Sequence, residues 1–130
     1  MKIIDEILAE EAVSIDDLEC DGATRILHYR LKQNHIPHRV FIGKVLNESN
    51  VIIPLHLWIV LKDNLILDTK LRTWTNDNAP HGIFDPKDHP QFIYIGSPID
   101  IVVSEVVYDF LRCSIPKDLQ NWHKLKLNTL

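Results

Sequence analysis

Three residues of this 130-residue chain have types and an order that allow nucleophilic chemistry: Cys20, His56 and Asp68. Cys20 falls at the start of a helical stretch, where the helix dipole and unpaired backbone N–H groups stabilise a thiolate. His56 interrupts an apolar run, Leu55-His56-Leu57-Trp58-Ile59-Val60-Leu61, and Asp68 interrupts the next, Leu65-Ile66-Leu67-Asp68-Thr69. An imidazole and a carboxylate in neighbouring buried strands are costly unless they meet a partner. If they meet, acid–base logic assigns the roles. His56 takes the Cys20 proton, Asp68 orients the imidazole and stabilises its charge, and the thiolate attacks an acyl carbon. The backbone N–H of Cys20 is then an available oxyanion donor.

Whether His56 and Asp68 meet depends on register. The connection between the two runs is Lys62-Asp63-Asn64. A three-residue hairpin loop with Asn64 left-handed pairs Leu61 with Leu65. Trp58 then faces Asp68, and His56 and Asp68 are diagonal neighbours on one face. A two-residue loop reverses the parity and separates them. The catalytic reading therefore predicts an odd loop.

The elements that must hold these residues are legible in the periodicity. Residues 2–12 carry Ile3, Ile4, Ile7, Leu8 and Ala12 at helical spacing. A second helix, capped by Asp16 or Asp17, is expected to run to about Asn34 with Ala23, Ile26, Leu27 and Leu31 inward and Arg25, Arg30 and Lys32 in solvent, ending before Pro37. Strands are expected over 39–46, 52–61, 65–71 and 92–96. The apolar run 55–61 hardly alternates, as for a strand buried on both faces. Residues 75–91, rich in Pro, Asn and Gly, read as one long ordered loop that could act as a lid. Ser97-Pro98-Ile99-Asp100 reads as a helix start, with helix to about Cys113 and a short last helix after Pro116. The order predicts one α+β domain spanning residues 1–130.

Composition narrows the classes. With 45% apolar and 25% charged residues, the chain has the balance of a folded globular domain rather than a disordered one. Two cysteines exclude a disulfide scaffold, and a net charge of −4 argues against nucleic-acid binding by phosphate neutralisation. No apolar run approaches the roughly 20 residues of a membrane helix, and no signal-peptide apolar region is seen. A cytoplasmic site is expected, with export by a route lacking a cleaved signal as the alternative. No phosphate loop, Rossmann glycine pattern or serine elbow is present, so no nucleotide or other cofactor is expected.

The segments Cys20-Asp21-Gly22-Ala23-Thr24, His35-Ile36-Pro37-His38-Arg39-Val40-Phe41-Ile42-Gly43, His56-Leu57-Trp58-Ile59-Val60 and Ile66-Leu67-Asp68-Thr69 together resemble the transglutaminase-like core of the papain-like cysteine enzymes. The likeness spans about residues 18–70. His35 stands where the family usually has Gly and Leu57 where it has a small residue; Lys70 follows Asp68-Thr69, and the usual Pro after the Asp is absent. The resemblance implies a nucleophile helix packed on an antiparallel sheet of about four strands, with Cys20 as nucleophile, His56 as base and Asp68 as orienting acid. It implies a cofactor-free hydrolase or acyltransferase acting on a protein or peptide, of the protease, glutamine deamidase or transglutaminase type. Hydrolysis or deamidation is favoured over cross-linking, since a small domain offers little surface to a second substrate. The alternatives are acetyl transfer of the arylamine-acetyltransferase kind and an inactive binding module of the same fold.

Other residues are weighed against simpler readings. Trp58 suits the core or a wall beside the site, and Trp74 a groove lining or surface packing; both are candidates for substrate binding. Cys113 reads as an ordinary packed or semi-exposed thiol. His28, His35 and His38 lack Cys or carboxylate partners at ligand spacing, so no metal is expected. His81 and His89 fall in the Pro-rich loop, where solvated histidines are ordinary.

Overall fold

The N-terminal helical pattern is divided at Glu11 into α1 (Lys2–Glu10) and α2 (Ala12–Asp17). The expected single helix over 2–12 is divided at Glu11, where the backbone leaves helical values (φ −100°, ψ 5°), although Glu11 N–H still bonds Ile7 O at 3.0 Å and Ile15 N–H bonds Glu11 O at 2.9 Å. Only 1% exposed, Glu11 receives Arg30 Nη1 at 2.7 Å and the Tyr108 hydroxyl. The computed structural model in which this is seen describes residues 2–112. Cys113 and the helix expected after Pro116 lie outside the described residues.

Helix α3 (Cys20–Gln33) begins later than expected. Its N-cap is Glu19, which makes no side-chain cap bond, while Asp16 and Asp17 belong to α2. Its inward face is Ala23, Thr24, Ile26, Leu27 and Leu31. Arg30 is not a free solvent-facing charge, since it pairs with Glu10 and Glu11; Arg25 pairs with Asp21. The helix ends in a Schellman motif: Ile36 N–H reaches Leu31 O at 2.9 Å and His35 N–H reaches Lys32 O at 3.1 Å. That motif requires a left-handed residue at its centre, and His35 adopts φ 55° there.

The sheet has five antiparallel strands in the order β4-β3-β2-β1-β5, one more than expected. They are β1 (His38–Asn47), β2 (Asn50–Leu61), β3 (Ile66–Asp68), β4 (Gly82–Phe84) and β5 (Phe92–Ile99). Strand β4 lies inside the segment expected to be loop. Pairing with β3 and the bond from Arg72 Nε to Ala79 O, 2.6 Å, anchor that segment, so it is not a free lid. Strand β3 stops at Asp68 rather than 71. Asp68 Oδ1 accepts the Lys70 N–H at 2.8 Å, an Asx turn that ends the strand and leads into α4 (Leu71–Trp74). Strand β5 continues through Ser97–Ile99, where a helix was expected. Pro98 is tolerated because β5 is an edge strand. The last helix, α5 (Glu105–Arg112), starts after Ser104, whose Oγ accepts from Val107 N.

One sheet face packs Val40, Leu57, Ile59, Leu61 and Leu67 against Ile4, Ile7, Ile15, Ala23, Leu27 and Leu31 of the first three helices. The other gathers Trp58, Ile66 and Phe84 with Phe41, Val60 and Tyr94. Residues 56–61 of β2 are thus covered on both sides, while Leu55 remains 67% exposed. Among the described residues, no helix is long and apolar enough to cross a membrane.

His35→Gly should stabilise the protein by about 1 kcal/mol, because glycine enters the left-handed region without the steric cost a Cβ carries. Chemical denaturation of the two proteins checks it; unchanged or lower stability would mean that His35 side-chain contacts outweigh backbone strain.

Candidate active site

The three-residue connection Lys62–Asn64 sets the site. Asp63 and Asn64 are both left-handed, with φ 64° and 60°, and Leu61 N–H bonds Leu65 O at 2.8 Å. Ile59 pairs with Leu67 and Val60 with Ile66, the odd-loop register expected. His56 and Asp68 consequently share a face, and His56 Nε2 lies 2.7 Å from Asp68 Oδ2. The two side chains are 0% and 2% exposed.

Asp68 is satisfied on both oxygens. Oδ1 accepts the Lys70 amide, while Oδ2 accepts His56 Nε2–H and the Tyr94 hydroxyl, the latter at 2.7 Å. Tyr94 stays protonated, because burial and the Asp68 charge both push its pKa far above the ordinary phenol value. Sequence reasoning missed this residue. The available signal was a tyrosine in an apolar strand, since a buried hydroxyl needs a partner.

The bond to Asp68 fixes the imidazole with Nδ1 as its free nitrogen. Nδ1 is buried and has no completed hydrogen bond. The Cys20 thiol is coupled to this ring. Its pKa is lowered from the ordinary value chiefly by His56, against burial, with the Leu57 backbone amide also lowering it. Burial alone would lower the His56 pKa, but its interactions with Asp68 and Cys20 prevail and raise it to about 9. Both directions favour a thiolate–imidazolium pair.

Cys20 belongs to a helix on one sheet face, whereas His56 shares a face with Trp58 on the other. The free edge of β2 reconciles these placements. Strand β3 pairs with β2 only at Ile59 and Val60 before Asp68 turns the chain away. The N-terminal turn of α3 comes to that vacated edge: Cys20 interacts with the Leu57 backbone, and Thr24 Oγ1 lies 3.5 Å from Leu57 O. A bulge sits beside His56. Pro54 and Leu55 of β2 oppose the single residue Lys44 of β1, between the pairs Gly43–His56 and Val45–Ile53.

Trp58 is 2% exposed and does not offer its ring to a substrate, which corrects the substrate-binding expectation. It forms a wall, stacked 6.1 Å from His56 and edge-on to Tyr94 at 4.9 Å. Gly96 makes room for it: a Cβ there would lie 2.7 Å from Trp58 Cη2 and 2.4 Å from Ile42 O. Trp74, at the end of α4, is 54% exposed. His28 and His38 contact each other rather than the triad. Among the described residues, no group of three or more His, Cys, Asp or Glu could hold a metal ion.

No family model, curated protein or solved structure matches this chain.

Two measurements follow from this geometry. Cys20 alkylation by iodoacetamide should rise at lower pH than that of an ordinary thiol of pKa about 8.5, and His56→Ala should return the profile toward it. An unshifted wild-type profile would contradict the coupling. Tyr94→Phe removes one of two donors to Asp68 Oδ2, so the carboxylate should hold the His56 proton more strongly. The His56 midpoint, followed by ¹⁵N NMR, should move upward from about 9.

Proposed function

We propose that this chain is a cofactor-free, cysteine-dependent amide hydrolase or acyltransferase of papain-like, transglutaminase-like type, acting on a protein or peptide through a Cys20 thioester. One observation carries the reading: Asp68 holds His56 by Nε2 at 2.7 Å, leaving Nδ1 uncommitted for a thiol made more acidic by the same ring.

The chemistry follows from that arrangement. The Cys20 thiolate attacks the amide carbon and its electron pair forms the C–S bond. The carbonyl oxygen takes the negative charge, with the Cys20 backbone N–H as donor at the start of α3. As the C–N bond breaks, His56 gives its Nδ1 proton to the departing amine nitrogen. Water then attacks the thioester and passes a proton to His56. The C–S bond breaks, releasing the acid and restoring the thiolate. Asp68, held by Lys70 and Tyr94, keeps the imidazole from rotating and balances its charge through the cycle. Exposed Trp74, a few residues after Asp68, is the remaining aromatic candidate for a substrate contact.

The test uses p-nitrophenyl acetate as a generic acyl donor, casein as an amide substrate and mass spectrometry to locate acyl groups. Cys20 should be acylated, and casein should lose ammonia or be cleaved. His56→Ala should slow these reactions by about 100-fold or more, the usual scale of general acid–base catalysis. Cys20→Ala should abolish acylation at that position. Acylation from acetyl-CoA with casein untouched would assign acetyl transfer instead. An unacylated Cys20 and intact casein would leave a binding module. Activity needs the thiolate and the imidazolium together. It should therefore rise through the lowered Cys20 pKa and fall near pH 9 as His56 loses its proton.

A further inference from the structure

Away from the triad, two histidines make an arrangement that fixes their proton content. His28 of α3 and His38 at the start of β1 meet with Nδ1 of His28 2.7 Å from Nε2 of His38. Each remaining ring nitrogen meets a carbonyl: His28 Nε2 lies 3.1 Å from Ile101 O, and His38 Nδ1 lies 2.7 Å from Ile36 O. A carbonyl oxygen can only accept, so both of those nitrogens carry protons. The contact between the rings needs a third proton. Two neutral imidazoles hold one each. With both carbonyl contacts made, the rings can hydrogen-bond to each other only when the pair holds that third proton, as a monocation spanning α3, β1 and the segment after β5.

This cation borders a cavity of about 780 Å³. Lys32, one helical turn beyond His28, and Arg39, next to His38, line it as well; Asp100 is its acidic residue. With the shared proton held, Lys32, Arg39 and the histidine pair stand against one carboxylate, a local net charge of about +2 on a chain whose net charge is −4; the Arg39 guanidinium lies 5.8 Å from the centroid of the Phe41 ring. Ile36, Pro37, Val40, Ile99 and Val102 supply an apolar part of the lining.

We propose that this cavity binds the phosphate group of a small phosphomonoester, with the His28–His38 cation, Lys32 and Arg39 receiving the phosphate and the apolar lining receiving its organic portion. A phosphate dianion matches the surplus charge, and guanidinium and imidazolium N–H groups suit its oxygens. The cavity is larger than a bare phosphate, which favours an esterified one. Binding is linked to protonation. Losing the shared proton removes one cation and leaves two nitrogen lone pairs opposed at 2.7 Å. The charged or titratable groups around the pair are Arg25 and Lys32 on α3, His35 in the turn after it, Arg39 on β1 and Asp100 after β5. Burial first, and then His38, Lys32 and Arg25, lower the proton affinity of His28; a bound anion offsets the cationic contribution.

The test is a ¹⁵N-histidine NMR titration of the full chain with glycerol 3-phosphate, inorganic phosphate and, at matched ionic strength, chloride. Phosphate should move the His28 midpoint upward where chloride does not. Lys32→Gln and Arg39→Gln should each weaken glycerol 3-phosphate binding by about tenfold, the usual worth of one charge-assisted contact. Tighter binding of glycerol 3-phosphate than of inorganic phosphate supports an ester ligand; the reverse order overturns the ester assignment and leaves a free-phosphate site. Equal responses to phosphate and chloride, or unchanged affinity in both variants, overturn the site altogether. These outcomes do not depend on Cys20, His56 or Asp68.

Discussion

The buried Asp68 carboxylate is the constraint around which the sheet is arranged. A carboxylate removed from water is strongly destabilising unless hydrogen bonds replace its hydration. Here the replacement comes from three directions: the Lys70 amide two residues on, His56 across the hairpin, and Tyr94 from the far side of the sheet. The first bond ends β3 and frees the edge of β2. The second requires the odd connection Lys62–Asn64. The third draws β5 and β1 into position, with Tyr94 opposite Val45. One charge thus links loop length, strand termination and the packing of an edge strand.

The freed edge of β2 has its own consequence. A helix packed on one sheet face cannot ordinarily bring a side chain to a histidine on the other. Shortening β3 to three residues removes the intervening strand, and the start of α3 then meets the Leu57 backbone beside His56. The bulge at Pro54 and Leu55 lies at the same end of the strand pair, where it re-aims β2 without disturbing the register that holds Asp68. Trp58 and Tyr94 close the site from the sheet side. Their rings pack within 4.9 Å of each other, beside the approach of Gly43 to Gly96 that a side chain on either would block.

Much of the triad's geometry was legible because it rests on local arithmetic. The polar interruptions at 56 and 68 and a three-residue loop containing Asp63 and Asn64 suffice to place His56 beside Asp68. Long-range partners were not legible. Tyr94 reaches Asp68 across 26 residues, and Glu11 reaches Tyr108 across 97; no periodicity marks either contact. The burial of Glu11 was likewise hidden, since its partners Arg30 and Tyr108 are distant in sequence. The short strand β4 was hidden among turn-forming residues. At Ser97-Pro98 the turn signals yielded to pairing with β1, because an edge strand can accept a proline that an inner strand cannot.

The same reasoning separates the two histidine pairings in this fold. His56 is held by an acceptor that is itself fully engaged, so its raised proton affinity belongs to a network with a negative centre. His28 and His38 meet neutral carbonyls and each other, with cations nearby, so hydrogen-bond geometry favours a shared proton that the local field opposes. The first arrangement retains its proton as pH rises toward 9. In the second, burial and the neighbouring His38, Lys32 and Arg25 lower the proton affinity of His28. A carboxylate beside one ring and carbonyls beside the other account for this difference.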